Sequence, residues 1–229
     1  MLDNTAGPEA ALRASDELEE YLSRLMAEGE AEPTDDLLGR LAQRYVLTGR
    51  LSREEAVAMA LLLLVAGHET TANMIGFGTL TLLEHPEQAA EVREGDTAVV
   101  KSAVEELLRL LTVVHTGRRR VALEDIEIGG VTIRAGEGII AAGESANRDP
   151  SVFESPDELD IHRGSNHHVA FGFGVHQCLG QPLARLELQI AYPALLRRFP
   201  DLHLAVPLEE IRFRDKMVVY GVQELPVSW

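Results

Sequence analysis

Between Ala10 and Glu30, leucines stand at positions 12, 18, 22 and 25 among charged residues. That spacing predicts an amphipathic surface helix. Residues Asp35–Thr48 predict a short second helix. From Leu51 the pattern changes. Ser52 and Glu55 form a capping-box pair, and the helix they open is predicted to run to about Glu84, where His85-Pro86 stops it. Its centre is apolar on every face, which suits a helix crossing an interior. The apolar run itself, Ala56–Gly67, falls short of the ~20 residues that a bilayer span needs. Helical spacing continues over Pro86–Glu94 and Thr97–Leu111. Residues 121–143 then read as short strands joined by turns at Gly129-Gly130 and Ala135-Gly136. Arg148–Asn166, rich in Pro, Asp, Ser and Gly, reads as an ordered coil. A last helix follows Cys178 to about Phe199, with strands expected near Leu202–Val206 and Met217–Leu225. Inside that last helix Pro193 predicts a kink or break, at a cost of about 3 kcal/mol. The fold class expected is mainly α with small β-sheets, as one domain over residues 1–229.

Composition narrows the function. The chain has 229 residues, 45% of them hydrophobic, so it can bury a core. Only 5% are aromatic, so aliphatic side chains must fill it. Twenty-one basic against 37 acidic residues give a formal charge of -16. Such a balance argues against nucleic acid and against an anionic membrane as partners, since both select a basic face. The single cysteine cannot close an internal disulfide, and the polar, acidic start MLDNTAGPEAALRASDELEE does not read as a signal peptide. These features lead to the expectation of a cytoplasmic protein.

The one cysteine sits in AFGFGVHQCLGQPLARLELQI, residues 170–190. Gly174 can take the positive φ of a tight turn. Gly180 presents no side chain to a flat ligand, and Pro182 suits a first helical turn. Backbone N–H groups at that helix start, with the helix dipole, favour a thiolate. The sequence has neither a Cys-x-x-Cys nor a His-Glu-x-x-His pattern, which disfavours zinc. An iron–sulfur cluster takes four cysteines, whereas haem takes a single axial thiolate.

The stretch from Phe171 to Gly180, FGFGVHQCLG, resembles the haem-binding loop of the cytochrome P-450 monooxygenases. Two further signatures of that family occur in the family's order. Glu106-Leu107-Leu108-Arg109 is similar to its Glu-x-x-Arg, and Ala66-Gly67-His68-Glu69-Thr70-Thr71 to its oxygen-groove motif. The resemblance covers essentially the whole chain and has the style of the soluble bacterial members. It implies a cytochrome P-450 fold lacking its N-terminal half, residues 1–229 being a single haem-binding domain fragment.

The same resemblance assigns roles. Cys178 is the implied iron ligand of haem b (iron protoporphyrin IX). Phe171, Gly172, Gly174 and Gly180 shape its loop, with Phe171 packed near the sulfur. His176, His168 and Arg120 are implied to hold the propionates, and Arg118 and Arg119 lie beside Arg120. Ala66 and Gly67 border a groove for dioxygen in a helix loosened at Thr70, and Glu69 and Thr70 are the implied proton-delivery residues. Glu106 and Arg109, completed by Arg163, are implied structural supports. Thr112–Thr116 and Lys216–Tyr220 match segments that line the substrate pocket. The implied activity inserts one atom of dioxygen into a small organic, apolar or natural-product substrate, with electrons from a ferredoxin system. A peroxide-driven enzyme of the same fold and a truncated, inactive partner protein are the alternatives. If the N-terminal half is a separate partner, the apolar face around Leu61–Val65 is expected to be uncovered.

Overall fold

The computed structural model describes residues 7–115, 117–164 and 167–229. Thr116 and Asn166, each at the end of a segment read above, lie outside the described residues, as do the first six. The chain divides into two compact units, one ending at Glu69 and the other running Thr70–Trp229.

The first unit is helical. Helix α1, Pro8–Ala31, opens with proline in its first turn. Helix α2, Leu37–Leu41, is capped by Asp36, whose carboxylate accepts from the Gly39 amide at 2.8 Å. A single π turn, Ala42–Val46, continues it. Leu22 and Met26 of α1 pack with Leu41, Ala42, Ala56, Val57 and Ala60 in an aliphatic core. The last three belong to α3, Arg53–Leu83. The capping box at its start is formed in both directions. The Ser52 amide donates to Glu55 at 2.8 Å, and the Glu55 amide donates to the Ser52 hydroxyl at 3.1 Å.

Helix α3 departs from the sequence reading in one respect. Its 31 residues run without interruption through Ala66–Thr71, as the single long helix expected. A threonine hydroxyl can engage a carbonyl of the preceding turn inside an intact helix. The middle of α3, however, is not interior: Leu62, Leu63 and Leu64 are exposed. By length and composition the whole helix, unlike the run Ala56–Gly67 alone, could cross a membrane. Both of its ends are packed against protein, in the core above and in the core of the second unit.

In the second unit, α4 (Pro86–Glu94), α5 (Thr97–Leu110) and α7 (Gln181–Arg198) pack on one another. Asp96 caps α5 by accepting from the amides of Ala98 and Val99. The core joins Val104, Leu107 and Leu108 of α5 with Leu188, Tyr192 and Leu196 of α7 and with Met74 and Leu82 of α3. Helix α7 continues through Pro193 without a break. The proline is buried beside Tyr192, and burial of the ring offsets the hydrogen bond it cannot make.

Three two-stranded antiparallel ribbons complete the described residues. Strand β1 (Arg118–Val121) pairs with β4 (Gly138–Ala141), β2 (Ile126–Ile128) with β3 (Val131–Ile133), and β5 (His203–Leu204) with β6 (Val227–Ser228). A one-turn helix, α6, spans Gly143–Ala146. The strand expected over Met217–Leu225 is not formed. One bridge, Phe213 with Val222, holds a tight loop there, closed by the Arg214 amide on Gly221 and the Gln223 amide on Arg212.

Candidate functional site

The cysteine loop is built before α7 begins. Gly172 and Gly174 have φ of +75° and +82°, the left-handed region that glycine occupies at no steric cost. At Gly172 the lack of a side chain matters twice, because a Cβ there would come within 3.1 Å of the Arg118 guanidinium. The turn brings the Cys178 amide back to donate to the Phe171 carbonyl at 2.9 Å. Cys178 itself is exposed. A Cβ on Gly180 would meet only the Cys178 sulfur, at 3.9 Å, so the glycine leaves open space beneath the thiol. Phe173, Val175 and Leu179 are almost wholly exposed, so the thiol sits in an apolar surface.

Phe171 is half-buried against the core. The Arg185 guanidinium lies 4.6 Å from its ring centre. His176 is exposed two residues before the thiol. Arg120 is exposed on β1, with its guanidinium donating to the Arg119 carbonyl. The arginine that reaches the cysteine loop is Arg118, which donates to the carbonyls of Ala170 at 2.9 Å and Val169 at 3.4 Å.

His168 corrects an expectation. Its side chain is 2% exposed, and both ring nitrogens are used inside the protein. Nδ1 accepts from the Ala170 amide at 3.2 Å, and Nε2 faces Glu105 at 3.0 Å. A ring so held is not presented to a ligand beside the thiol. Glu105 also holds Arg185 through both oxygens, at 2.6 and 3.0 Å. Burial pushes the Glu105 carboxyl up, but hydrogen bonds from His168 and Arg185 outweigh it and hold the pKa down at about 2. Glu105 and Arg185 are not singled out from the sequence, and Arg118 is named there only as a neighbour of Arg120. Three consecutive arginines at 118–120 were the only local signal; an ion pair between residues 80 apart leaves none.

The neighbouring carboxylate serves a different cluster. Glu106 and Arg109 are both fully buried and meet through two hydrogen bonds of 2.8 Å. The Arg163 guanidinium donates to Glu106 at 3.0 Å, as does the Asp160 amide. Arg109 donates in turn to the carbonyls of Asn147, Pro156 and Glu158. One carboxylate and two guanidiniums thereby satisfy a coil that has no ladder of its own. Asn147 links that coil to the cysteine segment, its side-chain oxygen accepting from the Val169 amide at 2.7 Å.

Ala66 and Gly67 are exposed on α3, and nothing lies within 4 Å of where a Gly67 Cβ would stand. Glu69 and Thr70 are half-buried on the next turn. The two segments that resemble pocket walls do meet. The Tyr220 amide donates to the Val113 carbonyl at 2.7 Å, and the His115 ring stacks on Tyr220 at 5.2 Å.

The donor set can be matched to a cofactor. Among the described residues no three His, Cys, Asp or Glu side chains are grouped to hold a metal ion. A metal at Cys178 therefore needs a group that brings its other ligands. An exposed thiol above a glycine gap, in an apolar surface at a helix start, fits a flat macrocycle.

The comparisons agree. The family model described as cytochrome P450 matches residues 9–207. Cytochrome P450-SU2 of Streptomyces griseolus is 56% identical over 229 residues, all of this chain and 56% of that protein. Pentalenic acid synthase of Streptomyces avermitilis is 52% identical over 213 residues, 93% of this chain and 52% of that one. The crystal structure of CYP105P1 in complex with filipin I superposes with a TM-score of 0.92 at 47% identity, covering 100% of this chain and 57% of that one. The chain thus spans about half the length of the curated relatives it matches. With its cysteine loop, its buried Glu106–Arg109 pair and this extent of matching sequence, the chain belongs to the cytochrome P450 family.

Proposed function

We propose that this chain carries the haem-thiolate centre of a P450 monooxygenase acting on a small organic substrate. The observation that carries the reading is the exposed Cys178 thiol, tied by its own amide to Phe171 and standing over Gly180 at the head of α7. Bound there, haem b supplies the activation of dioxygen. The chain's own residues do the rest. Cys178, exposed just before α7, would give the sulfur ligand. His176 and Arg120 hold the propionates. The Thr70 hydroxyl donates a hydrogen bond into the oxygen groove beside Ala66 and Gly67, and the Glu69 carboxylate moves a proton toward it. Glu106, Arg109 and Arg163 keep the coil behind the loop in place.

Electrons come from a ferredoxin-type donor, and the protein works in the cytoplasm. A relative named for pentalenic acid and a solved structure holding filipin I support a natural-product substrate class. The exposed apolar stretch Leu62–Leu64 supports a second element in the reading, a further protein surface that covers it. It equally suits a non-catalytic partner role.

The test is the reduced, CO-bound absorption spectrum of the haem-loaded chain. Wild type is expected to show the thiolate band and Cys178→Ser to lose it. A serine variant that keeps the band at full haem content overturns the assignment.

A further inference from the structure

The consecutive carboxylates of α5 divide their work. Glu106 is enclosed by the coil of residues 147–163, while Glu105 turns to the cysteine segment and α7. Glu105 grips Arg185 with both oxygens, and Gln181 accepts a third hydrogen bond from the same guanidinium at 2.8 Å. A guanidinium held by its N–H edges in this way keeps its faces for stacking, and the Phe171 ring lies 4.6 Å from it. The Phe171 carbonyl in turn accepts the Cys178 amide. A second route leaves Glu105 through His168. A neutral ring with its proton on Nε2 donates to Glu105 and accepts the Ala170 amide on Nδ1. Both routes end on the loop that carries the thiol; the Glu106 cluster reaches the same segment separately, through Arg109 and Asn147 to the Val169 amide.

We propose that Glu105 is a positioning residue for Cys178, acting through Arg185 and Phe171 on one side and through His168 on the other. The proposal rests on the reading of Cys178 as the haem ligand. A carboxylate–guanidinium fork is directional, so the ring beneath it, and the carbonyl attached to that residue, are held in orientation as well as in place. This role differs from that of Glu106. Loss of Glu105 frees the cysteine loop while the 147–163 coil stays ordered.

Two measurements test it, with Glu105→Gln, which keeps the side-chain volume, and Arg185→Gln, which keeps Glu105. The first is hydrogen–deuterium exchange of the full 229-residue chain without added ligand. The amides of Ala170, Gly172 and Cys178 are expected to exchange about ten-fold faster or more in both variants. Those of Asp160 and Ile161, anchored by Glu106 and Gln88, are expected to keep wild-type rates. Equal acceleration of both segments, or no change in the cysteine loop, overturns the proposal. The second measurement is the thiolate fraction of the CO-bound spectrum at matched haem content. A lower fraction in both variants supports positioning, and an unchanged fraction overturns it. A wild-type chain with no thiolate band defeats the haem-ligand reading instead, and the exchange data then decide the clamp alone.

Discussion

The Tyr192 phenol donates a hydrogen bond to the Met74 carbonyl at 2.7 Å, across the face of α3 that Gly78 leaves bare. A Cβ on Gly78 would stand 2.0 Å from the phenol oxygen and 2.6 Å from the ring carbon bearing it. The phenol is buried, which pushes its pKa upward and keeps it a donor at any ordinary pH. Gly78→Ala gains about 1 kcal/mol in helix propensity. The overpacking should outweigh that gain, leaving a net loss of about 1–3 kcal/mol. Tyr192→Phe in the same chain should recover part of the loss by removing the nearest atom. Urea denaturation of the two single variants and the double variant measures this, and additive effects would refute the contact.

Arg109→Ala takes from buried Glu106 the partner of two hydrogen bonds, and removes a donor from the carbonyls of Asn147, Pro156 and Glu158. Breaking a fully buried pair from one side costs about 3–5 kcal/mol. The expected result is a chain that unfolds at markedly lower urea, or fails to accumulate folded. A loss below about 1 kcal/mol would place the pair in the solvated class.

Glu105 predicts a pH dependence whose sign follows from its lowered pKa. The folded carboxyl sits at about 2 against 4.5 for a free one. Its stabilisation is therefore complete above the unfolded value and is lost as pH falls from about 5 through about 2. The group is partly solvated, so screening reduces its worth to about 1–2 kcal/mol at neutral pH. Wild type should lose somewhat more than half of that relative to Glu105→Gln between pH 6 and 3, and the remainder below pH 3. Parallel curves for the two proteins would refute the prediction.

Much of this arrangement was legible locally. The capping box at Ser52–Glu55, the stop at His85-Pro86 and the turn at Gly174 follow from contacts a few residues apart, and all three are present. The Met217–Leu225 segment misled because weak alternation does not say whether a partner strand exists; here Phe213 and Val222 make a single bridge. His168 was placed by its neighbourhood in sequence, yet its carboxylate partner is 63 residues away. The apolar centre of α3 was read as interior because the pattern reports what a helix can bury, not whether anything covers it.

That uncovered stretch makes its own prediction. Leu62 is 67% exposed and Leu64 45%, with Met59 and Leu63 beside them. Apolar patches beyond roughly a few hundred Å² are uncommon on soluble monomers. The isolated chain is expected to self-associate in sedimentation velocity at micromolar concentration. Leu62→Glu with Leu64→Lys should shift it toward monomer without changing its helix content. A wild-type chain that stays monomeric throughout would refute this.

The twin tethers of α5 also carry a consequence for the order of folding. Glu106 reaches Arg163 across 57 residues, and Glu105 reaches Arg185 across 80. Closing such long loops is entropically costly, and neither can close until α5 exists to present both carboxylates. Helix α5, whose backbone hydrogen bonds are local and whose cap is set by Asp96, is thus expected to form early. The cysteine loop locks last. Substitutions at Val104 or Leu107 should slow refolding, whereas those at Glu105 should mainly speed unfolding. The thiol is then expected to reach its final orientation only after the rest of this unit has committed to its native topology, which stopped-flow refolding of those variants measures.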